Sequence, residues 1–280
     1  MAELISVIVT TYNRDDALAA VLRSLARQTD PDFEVIVADD GSGPSTAALV
    51  ESWNVRVGHR VEHVWHEDKG FRAAEIRNRA ILLARGAYCV FLDGDCITRP
   101  DFIAAHRRVA ERGWFVSGNR VLLSPTLTER VLREELTPED WALTRWLAEH
   151  LRGGVNRVAA LLHLPLGALR RLRKSAWQGV RSCNLAVWRT DLDRVDGFDA
   201  DYSGWGKEDS DLIVRLLHAG VRRKDGNFAT GVIHLWHKEA DRARLGANEG
   251  RLASVIGSDG VRARRGLSAM AAAVPSGAAG

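Results

Sequence analysis

The chain has 280 residues, of which 46% are hydrophobic and 27% are charged, as in an ordinary globular protein. Its formal net charge of +3 at pH 7 is too small to indicate nucleic acid as a partner. The three cysteines, Cys89, Cys96 and Cys183, lack metal-type spacing and favour a reducing compartment over a disulfide framework. No apolar run approaches the ~20 residues of a membrane span, and the start of the chain is typical of a first strand, so we expect a cytoplasmic protein.

Strands and helices alternate over the first 95 residues. Short β-branched or apolar runs predict strands at 4–9, 33–38, 61–65 and 89–92. Helical periodicity predicts helices at about 15–28, 44–53 and 72–84. This alternation predicts an α/β fold with a right-handed, doubly wound, mostly parallel sheet and flanking helices.

A polar cluster follows three of these strands, at 10–13, 39–42 and 93–95. The carboxyl ends of parallel strands share one edge of a sheet, so the three clusters are expected to face one crevice. Asp93-Gly94-Asp95 offers two hard carboxylates that suit a divalent cation bridging to phosphate, although an acidic turn has the same composition. The chain has neither a G-x-G-x-x-G fingerprint after its first strand nor a P-loop. Phosphate would therefore need a metal and basic side chains, and Lys69, Arg72 and Arg77 lie nearby in sequence.

The runs SVIVTTYNR, FEVIVADDGS, EIRNRAI and FLDGD resemble, in order and spacing, the family 2 nucleotide-sugar glycosyltransferases of the GT-A fold. The resemblance implies a nucleotide-sugar site with Mn²⁺ or Mg²⁺. In the implied site, the nucleoside is bound by Thr10, Tyr12 and Asp40, with Asp40 on the base. Arg77 lies near the base or phosphates. Asp93 and Gly94 lie at the ribose, and Asp95 binds the metal. Two simpler interpretations remain open. Thr10 and Asn13 are also good helix caps, and Arg77 could form a surface salt bridge with Glu75 or Asp68.

After a helix at 101–112 and short strands at 114–118 and 120–123, residues 124–178 break the alternation and are expected to form a helical insertion. One helix is expected to begin at 137–140, where Pro138 opens an acidic first turn. Residues 152–174 read as a basic amphipathic helix with a kink at Pro165. Such a helix can lie on an anionic membrane and meet a lipid-linked acceptor, or it can pack on the domain with a solvated basic face.

The second half returns to a strand at 182–188 and a short helix and turn at 191–199. Gly204-Trp205-Gly206 and three acidic residues then open a helix that Gly220 stops. Carboxylates in a first helical turn are stabilised there and could be capping alone. The glycines, however, leave room for a ligand, and the Trp205 ring offers an apolar face suited to a sugar.

This segment resembles the galactosyltransferase-type region with a Gly-Trp-Gly-x-Glu-Asp run. The resemblance implies that Asp209 is the catalytic base and that Trp205 and Glu208 contact the acceptor. It also places a metal-ligand histidine in the run VIHLWH, where His234 and His237 are both candidates and only one is expected to bind. The simpler alternative is a packed or solvated histidine with no ligand.

These patterns divide the chain into four parts: a nucleotide-sugar-binding α/β half at 1–123, the insertion at 124–178, an acceptor-binding and catalytic half at 179–265, and a loosely ordered or weakly helical tail at 266–280. The predicted function is metal-dependent, inverting transfer of a hexose to a hydroxyl of a glycan or lipid-linked glycan. The resemblance favours UDP as the nucleotide and cell-envelope polysaccharide synthesis as the setting. The alternatives are a sugar-1-phosphate nucleotidyltransferase and a non-catalytic sugar-binding module.

Overall fold

A seven-stranded mixed sheet forms the centre of the fold in the computed structural model, which describes residues 3–54, 60–238 and 241–272. The strands are β1 Ile5–Thr11, β2 Phe33–Asp39, β3 Val61–Trp65, β4 Tyr88–Asp93, β5 Cys96–Ile97, β6 Trp114–Ser117, β7 Arg120–Leu122, β8 Asn184–Trp188, β9 Arg222–Asp225 and β10 Val232–His234. The helices are α1 Asp15–Leu25, α2 Pro44–Asn54, α3 Ala73–Leu83, α4 Phe102–Val109, α5 Pro125–Arg133, α6 Leu143–Leu151, α7 Arg189–Val195, α8 Glu208–His218, α9 Leu245–Ile256 and α10 Leu267–Ala271.

The strand order is β3-β2-β1-β4-β8-β6-β9, and β5, β10 and β7 form a second, three-stranded sheet. The first four strands are parallel, which confirms the α/β prediction for the first half. Strand β8 runs antiparallel to both of its neighbours, β4 and β6. Because β8 and β9 come from the second half of the chain, the predicted donor and acceptor halves share one continuous sheet.

Both faces of the large sheet are buried, as expected for parallel strands between helical layers. The side chains of β1 show the division most clearly: Val7 and Val9 pack in one cluster with α1, and Ile8 packs in the other with α3, α7 and α8. Successive side chains of a strand point to opposite faces, so each strand contributes to both cores. This arrangement fixes the carboxyl ends of β1, β2 and β4 at one edge.

The predicted helix at 152–174 is wrong. The structure has only two short 3₁₀ turns there, Ala159–Leu161 and Gly167–Arg171. Arg170 is buried and donates to the carbonyl oxygens of Asp225, Asn227 and Leu164, at 2.6 to 3.0 Å. A buried guanidinium needs several acceptors, and these carbonyls lie on loops that an exposed continuous helix would not reach.

Three further observations concern the helices outside the first 95 residues. Residues 138–140 form a single 3₁₀ turn, and the helix of this region, α6, begins later, at Leu143. Helix α9 follows no motif in the sequence and was not predicted. The start of the 266–280 tail is helical, with Leu267 buried and Ser268 N donating to Asp196 Oδ1 at 2.8 Å, whereas 273–280 lie outside the described residues. Over the described part of the chain, every helix is too short or too polar to cross a bilayer.

Candidate active site

The polar ends of β1, β2 and β4 lie side by side, as the strand-end rule predicts. Thr10 in β1 is paired in register with Asp93 in β4. Gly94 N donates to Thr10 O at 2.7 Å, and Asp40 N donates to Thr11 O at 2.9 Å. A Cβ atom at Gly94 would lie 3.0 Å from the Thr11 side chain, so glycine lets the turn after β4 pack closely against β1.

Arg77 in α3 is the buried centre of this edge. Its Nε donates to Thr10 Oγ1 at 3.0 Å, its Nη1 to Glu208 Oε1 at 3.1 Å and its Nη2 to Asp93 Oδ1 at 3.3 Å. The side chain is only 5% exposed, which excludes the surface salt bridge considered from the sequence. Arg77 therefore connects the ends of β1 and β4 to the first turn of α8, far away in sequence.

The neighbouring Asn78 makes a second connection between the same parts of the chain. Its Nδ2 donates to Phe198 O at 2.7 Å, and Phe198 N donates back to its Oδ1 at 2.8 Å. Asn78 is fully buried, so both polar atoms of its amide are satisfied away from water.

The glycine-rich turn before α8 positions Glu208 and Asp209. Gly206 and Lys207 have φ of +103° and +78°, a region that Gly enters freely and Lys rarely. Glu208 is buried, and this burial together with the charge of Asp209 raises the pKa of its carboxyl to about 7, although Arg77 opposes the shift. Asp209 is half-buried, and its Oδ1 accepts from Ser210 N at 2.6 Å.

Asp93 lies between the two halves of the site. Withdrawal from water raises the pKa of its carboxyl, and the charges of Asp95 and Asp209 raise it further against the opposing charge of Arg77. The Arg77 guanidinium contacts both Asp93 and Glu208, and Asp95 and Asp209 follow these two residues closely along the chain.

A cluster of possible metal ligands lies at the same edge. One ligand atom each from Asp95, His234 and His237 lie within 4.8 Å of one another. Asp95 Oδ1 is 3.6 Å from His234 Nε2, and Asp95 Oδ2 is 3.4 Å from His237 Nε2. Pairing of β5 with β10 creates the cluster, because it places His234 opposite Cys96 and lets Leu235 N donate to Asp95 O at 2.9 Å.

The chemistry of this cluster fits a divalent cation. Burial lowers the pKa of His234 to about 4, against the opposing effect of Asp95, so its imidazole is neutral at pH 7 and has a free lone pair. One carboxylate and two imidazoles suit Mn²⁺ better than Mg²⁺, which prefers oxygen ligands. The structure brings both histidines within reach, whereas the sequence argument expected one to bind.

The polar end of β2, which the resemblance assigns to the nucleoside, has a more specific hydrogen-bond network than the motifs suggested. Tyr12 is half exposed, and its hydroxyl donates to Asp68 Oδ2 at 2.9 Å. Asp40 is buried, with Oδ1 2.7 Å from His66 Nε2 and Oδ2 accepting from Arg72 N at 2.8 Å. Sequence reasoning missed His66 and Asp68. The strand-end rule applied to β3, which the run HEDK follows, would have found them.

Most basic residues near the crevice already have anionic partners. Lys69 pairs with Glu67 at 2.9 Å, Arg72 pairs with Glu75 at 3.3 Å, and Arg77 is held as described. Arg120 in β7 differs, since no ion pair joins it to a carboxylate of the described residues. Its Nη1 donates to Cys183 Sγ at 3.3 Å. The pairing of β7 with β10 places Arg120 opposite Val232, two positions before the His234–Leu122 pair, and its charge acts to lower the pKa of both Asp93 and His234.

The predicted acceptor residue Trp205 is half-buried in the turn before α8. The Arg242 guanidinium lies 5.0 Å from its ring centroid. Glu208, the other predicted acceptor residue, is directed to Arg77 instead of standing free in the crevice. Trp236, next to His237, is 47% exposed and adds an aromatic surface that the sequence argument did not single out.

Comparison with known proteins gives two family matches that together cover most of the chain. The glycosyl transferase family 2 matches residues 6–162, and the family described as the N-terminal domain of galactosyltransferase matches residues 168–238. Validoxylamine A glucosyltransferase of Streptomyces hygroscopicus subsp. limoneus is 33% identical over 78% of this chain and 49% of its own length. Chondroitin synthase of Pasteurella multocida is 27% identical over 80% of this chain and 24% of its own. The chain thus spans about half, or less, of these curated relatives.

Two solved structures share the fold at low identity. The mannosyltransferase PcManGT from Pyrobaculum calidifontis, in complex with GDP-Man and Mn²⁺, has a TM-score of 0.59 at 18% identity, covering 99% of this chain and 77% of its own. TarS of S. aureus, in complex with UDP, has a TM-score of 0.60 at 16% identity, covering 91% of this chain and 65% of its own.

Proposed function

The chain belongs to glycosyl transferase family 2, and we propose that it transfers a hexose, with inversion, from a nucleotide-diphospho-sugar to an acceptor hydroxyl. We assign donor binding to residues 1–123 and the catalytic base and acceptor to 179–265. The observation that carries the proposal is the contact of Arg77 with both Asp93 and Glu208, because it joins the strand end that carries Asp95 to the helix start that carries Asp209. In this proposal the donor lies between Asp95 and Asp209. A donor between these groups would have its leaving group and its attacking acceptor on opposite sides.

Asp95, His234 and His237 would hold a divalent cation, for which their mixed oxygen and nitrogen set favours Mn²⁺. When bound, such a cation neutralises negative charge on a departing diphosphate. Arg120 supports the same end of the donor, since it lies near the cluster and forms no ion pair with a carboxylate of the described residues. A guanidinium binds phosphate oxygens with two parallel hydrogen bonds, so we assign Arg120 to the diphosphate.

Asp209 acts as general base in this proposal. It accepts the proton of the acceptor hydroxyl while that oxygen attacks the anomeric carbon, and the bond to the nucleotide diphosphate breaks on the opposite face. The hydrogen bond from Ser210 N to Oδ1 fixes the carboxylate at the start of α8. One displacement inverts the configuration, so an α-linked donor gives a β-linked product.

The nucleoside is assigned to Tyr12, Thr10 and Asp40. The exposed Tyr12 ring offers a face for stacking on a base. Asp40 is held by His66 and Arg72 N and retains further lone pairs that can accept from the N–H of a uracil. We therefore propose UDP as the nucleotide, Trp205 as the surface for an acceptor sugar, and a glycan or lipid-linked glycan as the acceptor.

The test is release of nucleoside diphosphate by the purified chain, with Mn²⁺ or with EDTA. Candidate donors are UDP-glucose, UDP-galactose, UDP-N-acetylglucosamine and GDP-mannose. We expect slow hydrolysis of at least one UDP-sugar with Mn²⁺, and loss of it with EDTA, in Asp95→Ala and in His237→Ala. His218→Ala, which changes a half-buried histidine at the end of α8 on a different part of the fold, serves as the matched control.

Two results would argue against the proposal. The first is donor hydrolysis that continues unchanged in EDTA and in Asp95→Ala. The second is pyrophosphate release from UTP with a sugar 1-phosphate, which is the reaction of the nucleotidyltransferase alternative. Once an acceptor is known, the coupling constant of the anomeric proton in the product tests the predicted inversion.

A further inference from the structure

Helix α6 exposes three leucines on one face. Leu143, Leu147 and Leu151 are 46%, 47% and 87% exposed, and their spacing of four residues aligns them along the helix. We call these three residues the α6 leucine face. Isolated exposed apolar side chains are common on proteins. An aligned row of them on one short helix, however, indicates a surface that binds another molecule or a membrane.

The opposite side of α6 shows the reverse of the usual pattern. Trp146 is 2% exposed and packs in the core, and Glu149 is 4% exposed. The Glu149 carboxylate lies 3.7 Å from both Arg130 and Arg152. A surface helix normally turns its apolar side to the core and its charged residues to water. In α6 the one acidic residue, Glu149, points inward, whereas the three leucines point outward.

From Trp141 onwards the charges around the α6 leucine face are mainly basic, and the exposed Asp140 before them pairs with Arg27 at 2.7 Å. Residues 141–157 contain Arg145, Arg152 and Arg157, all exposed, and Glu149 is the single acidic residue of the stretch. The Arg145 guanidinium lies 3.8 Å over the Trp141 ring, so an aromatic residue and a cation lie together at the start of the helix. Exposed leucines flanked by cations complement a surface in which an outer anionic layer covers an apolar interior.

We propose that the α6 leucine face binds the surface of an anionic lipid bilayer. The leucines would enter the headgroup boundary while Arg145 and Arg152 lie at the level of the lipid phosphates. A second copy of the chain fits less well, because a two-fold contact through this face would bring the arginines of both copies together.

This surface differs from the one that the sequence suggested at 152–174. There, Arg170 is buried against backbone carbonyls and Arg171 pairs closely with Glu111 at 2.7 Å. Arg152 lies farther from its carboxylate, 3.7 Å from Glu149, and its side chain is 71% exposed. The proposal does not depend on sugar transfer, although a membrane position would suit a lipid-linked acceptor. Its test therefore measures binding to vesicles and no enzymatic activity.

The experiment is vesicle flotation of the full chain. We expect co-flotation with vesicles of phosphatidylcholine and phosphatidylglycerol at low salt, and little with pure phosphatidylcholine. A Leu143→Gln/Leu147→Gln variant should bind at least roughly tenfold more weakly, because two partly exposed leucines lose the gain from leaving water. Leu83→Gln, which changes a 42% exposed leucine on α3, is the control and should float like the wild type.

Circular dichroism melting should show that the double variant keeps the wild-type midpoint, since the replaced side chains face solvent. The proposal is overturned if the wild type does not float with anionic vesicles, or if the double variant floats as well as the wild type. It is also overturned if the wild type is a dimer in light scattering and Leu147→Glu makes it a monomer, because the face would then be a contact between copies.

Discussion

Arg77 in α3 and Glu208 at the start of α8 form a buried ion pair, with Nη1 and Oε1 3.1 Å apart and 131 positions of sequence between them. The same guanidinium also reaches Asp93 and Thr10. One side chain thus connects the proposed donor site with the segment that carries the proposed base. The first two predictions concern this pair.

Arg77→Met should destabilise the fold by about 3 to 5 kcal/mol, because it removes the buried guanidinium that Asp93, Glu208 and Thr10 all contact. Urea unfolding followed by fluorescence measures this change. Arg79→Met is the matched control: Arg79 pairs with Glu75 at 2.9 Å from the surface and should cost less than about 1 kcal/mol. Equal losses in the two variants would show that the Arg77 connection has no special role.

Stability should depend on pH through Glu208. Its pKa is raised from 4.5 to about 7 in the folded protein, so the folded state holds a proton that the unfolded state releases between those values. The contribution to stability is therefore greatest below pH 4.5 and is lost as pH rises towards 7. The Glu208→Gln variant lacks this loss, so its stability relative to wild type should rise between pH 5 and 8, on the order of 2 kcal/mol.

The measurement is a series of urea unfolding curves of both proteins across that pH range. The difference in unfolding free energy between the two proteins at each pH cancels the contributions of other carboxylates. Asp39 is one of these: burial alone would raise its pKa, but hydrogen bonds with His63 and Ser42 lower it. A difference that stays constant with pH would contradict the raised pKa of Glu208.

Asp209→Asn should reduce transfer by roughly 10² to 10⁴-fold, the usual contribution of a general base, while donor affinity changes less than about twofold. The amide keeps the shape and the acceptor oxygen for Ser210 N, but it cannot take the proton. Initial rates give the first quantity and calorimetry with the donor gives the second. Asp259→Asn, at an exposed position, is the control. Wild-type rates in Asp209→Asn would show that the base is a different residue.

Arg120→Met should weaken binding of a nucleoside diphosphate by roughly 10- to 100-fold, the value of a charge-assisted hydrogen bond, and leave nucleoside binding unchanged. Calorimetry with UDP and with uridine, both in Mn²⁺, separates these effects. The exposed Arg157 supplies the control, Arg157→Met, which should match the wild type. If UDP binds Arg120→Met as tightly as wild type, Arg120 does not contact the diphosphate.

The sequence predicted the structure best where the residues of a single strand or helix determine the element and its ends. Runs such as those in β1 and β4 are apolar over their whole length, and their polar ends follow from chain direction alone. The direction of β8 was not available from the sequence, since its residues fit a parallel or an antiparallel strand equally well. Its antiparallel pairing with β4 depends on how the chain returns to the sheet.

The surroundings of Arg170 and Arg120 could not be predicted, because they depend on residues that are distant in sequence. Arg170 looked like a solvated charge, yet it is buried because carbonyls after β9 surround it. Arg120 has no motif, and its position in the crevice results from pairing of β7 with β10. Asp93 and Asp95 were singled out because they follow a strand end, and His234 and His237 because of the family resemblance. The structure brings Asp95 and both histidines together, and their role as metal ligands stays a prediction.

The paired hydrogen bonds between Asn78 and Phe198, next to the Arg77 connection, restrict how the protein can move. Helix α3 is fixed to both halves of the crevice through adjacent residues, so a hinge opening between those halves would have to break both connections in water-free surroundings. Adjustment to a substrate is then expected from side chains and from the turn at Gly204–Lys207, and the spacing between the two sides of the cleft is set before any ligand arrives.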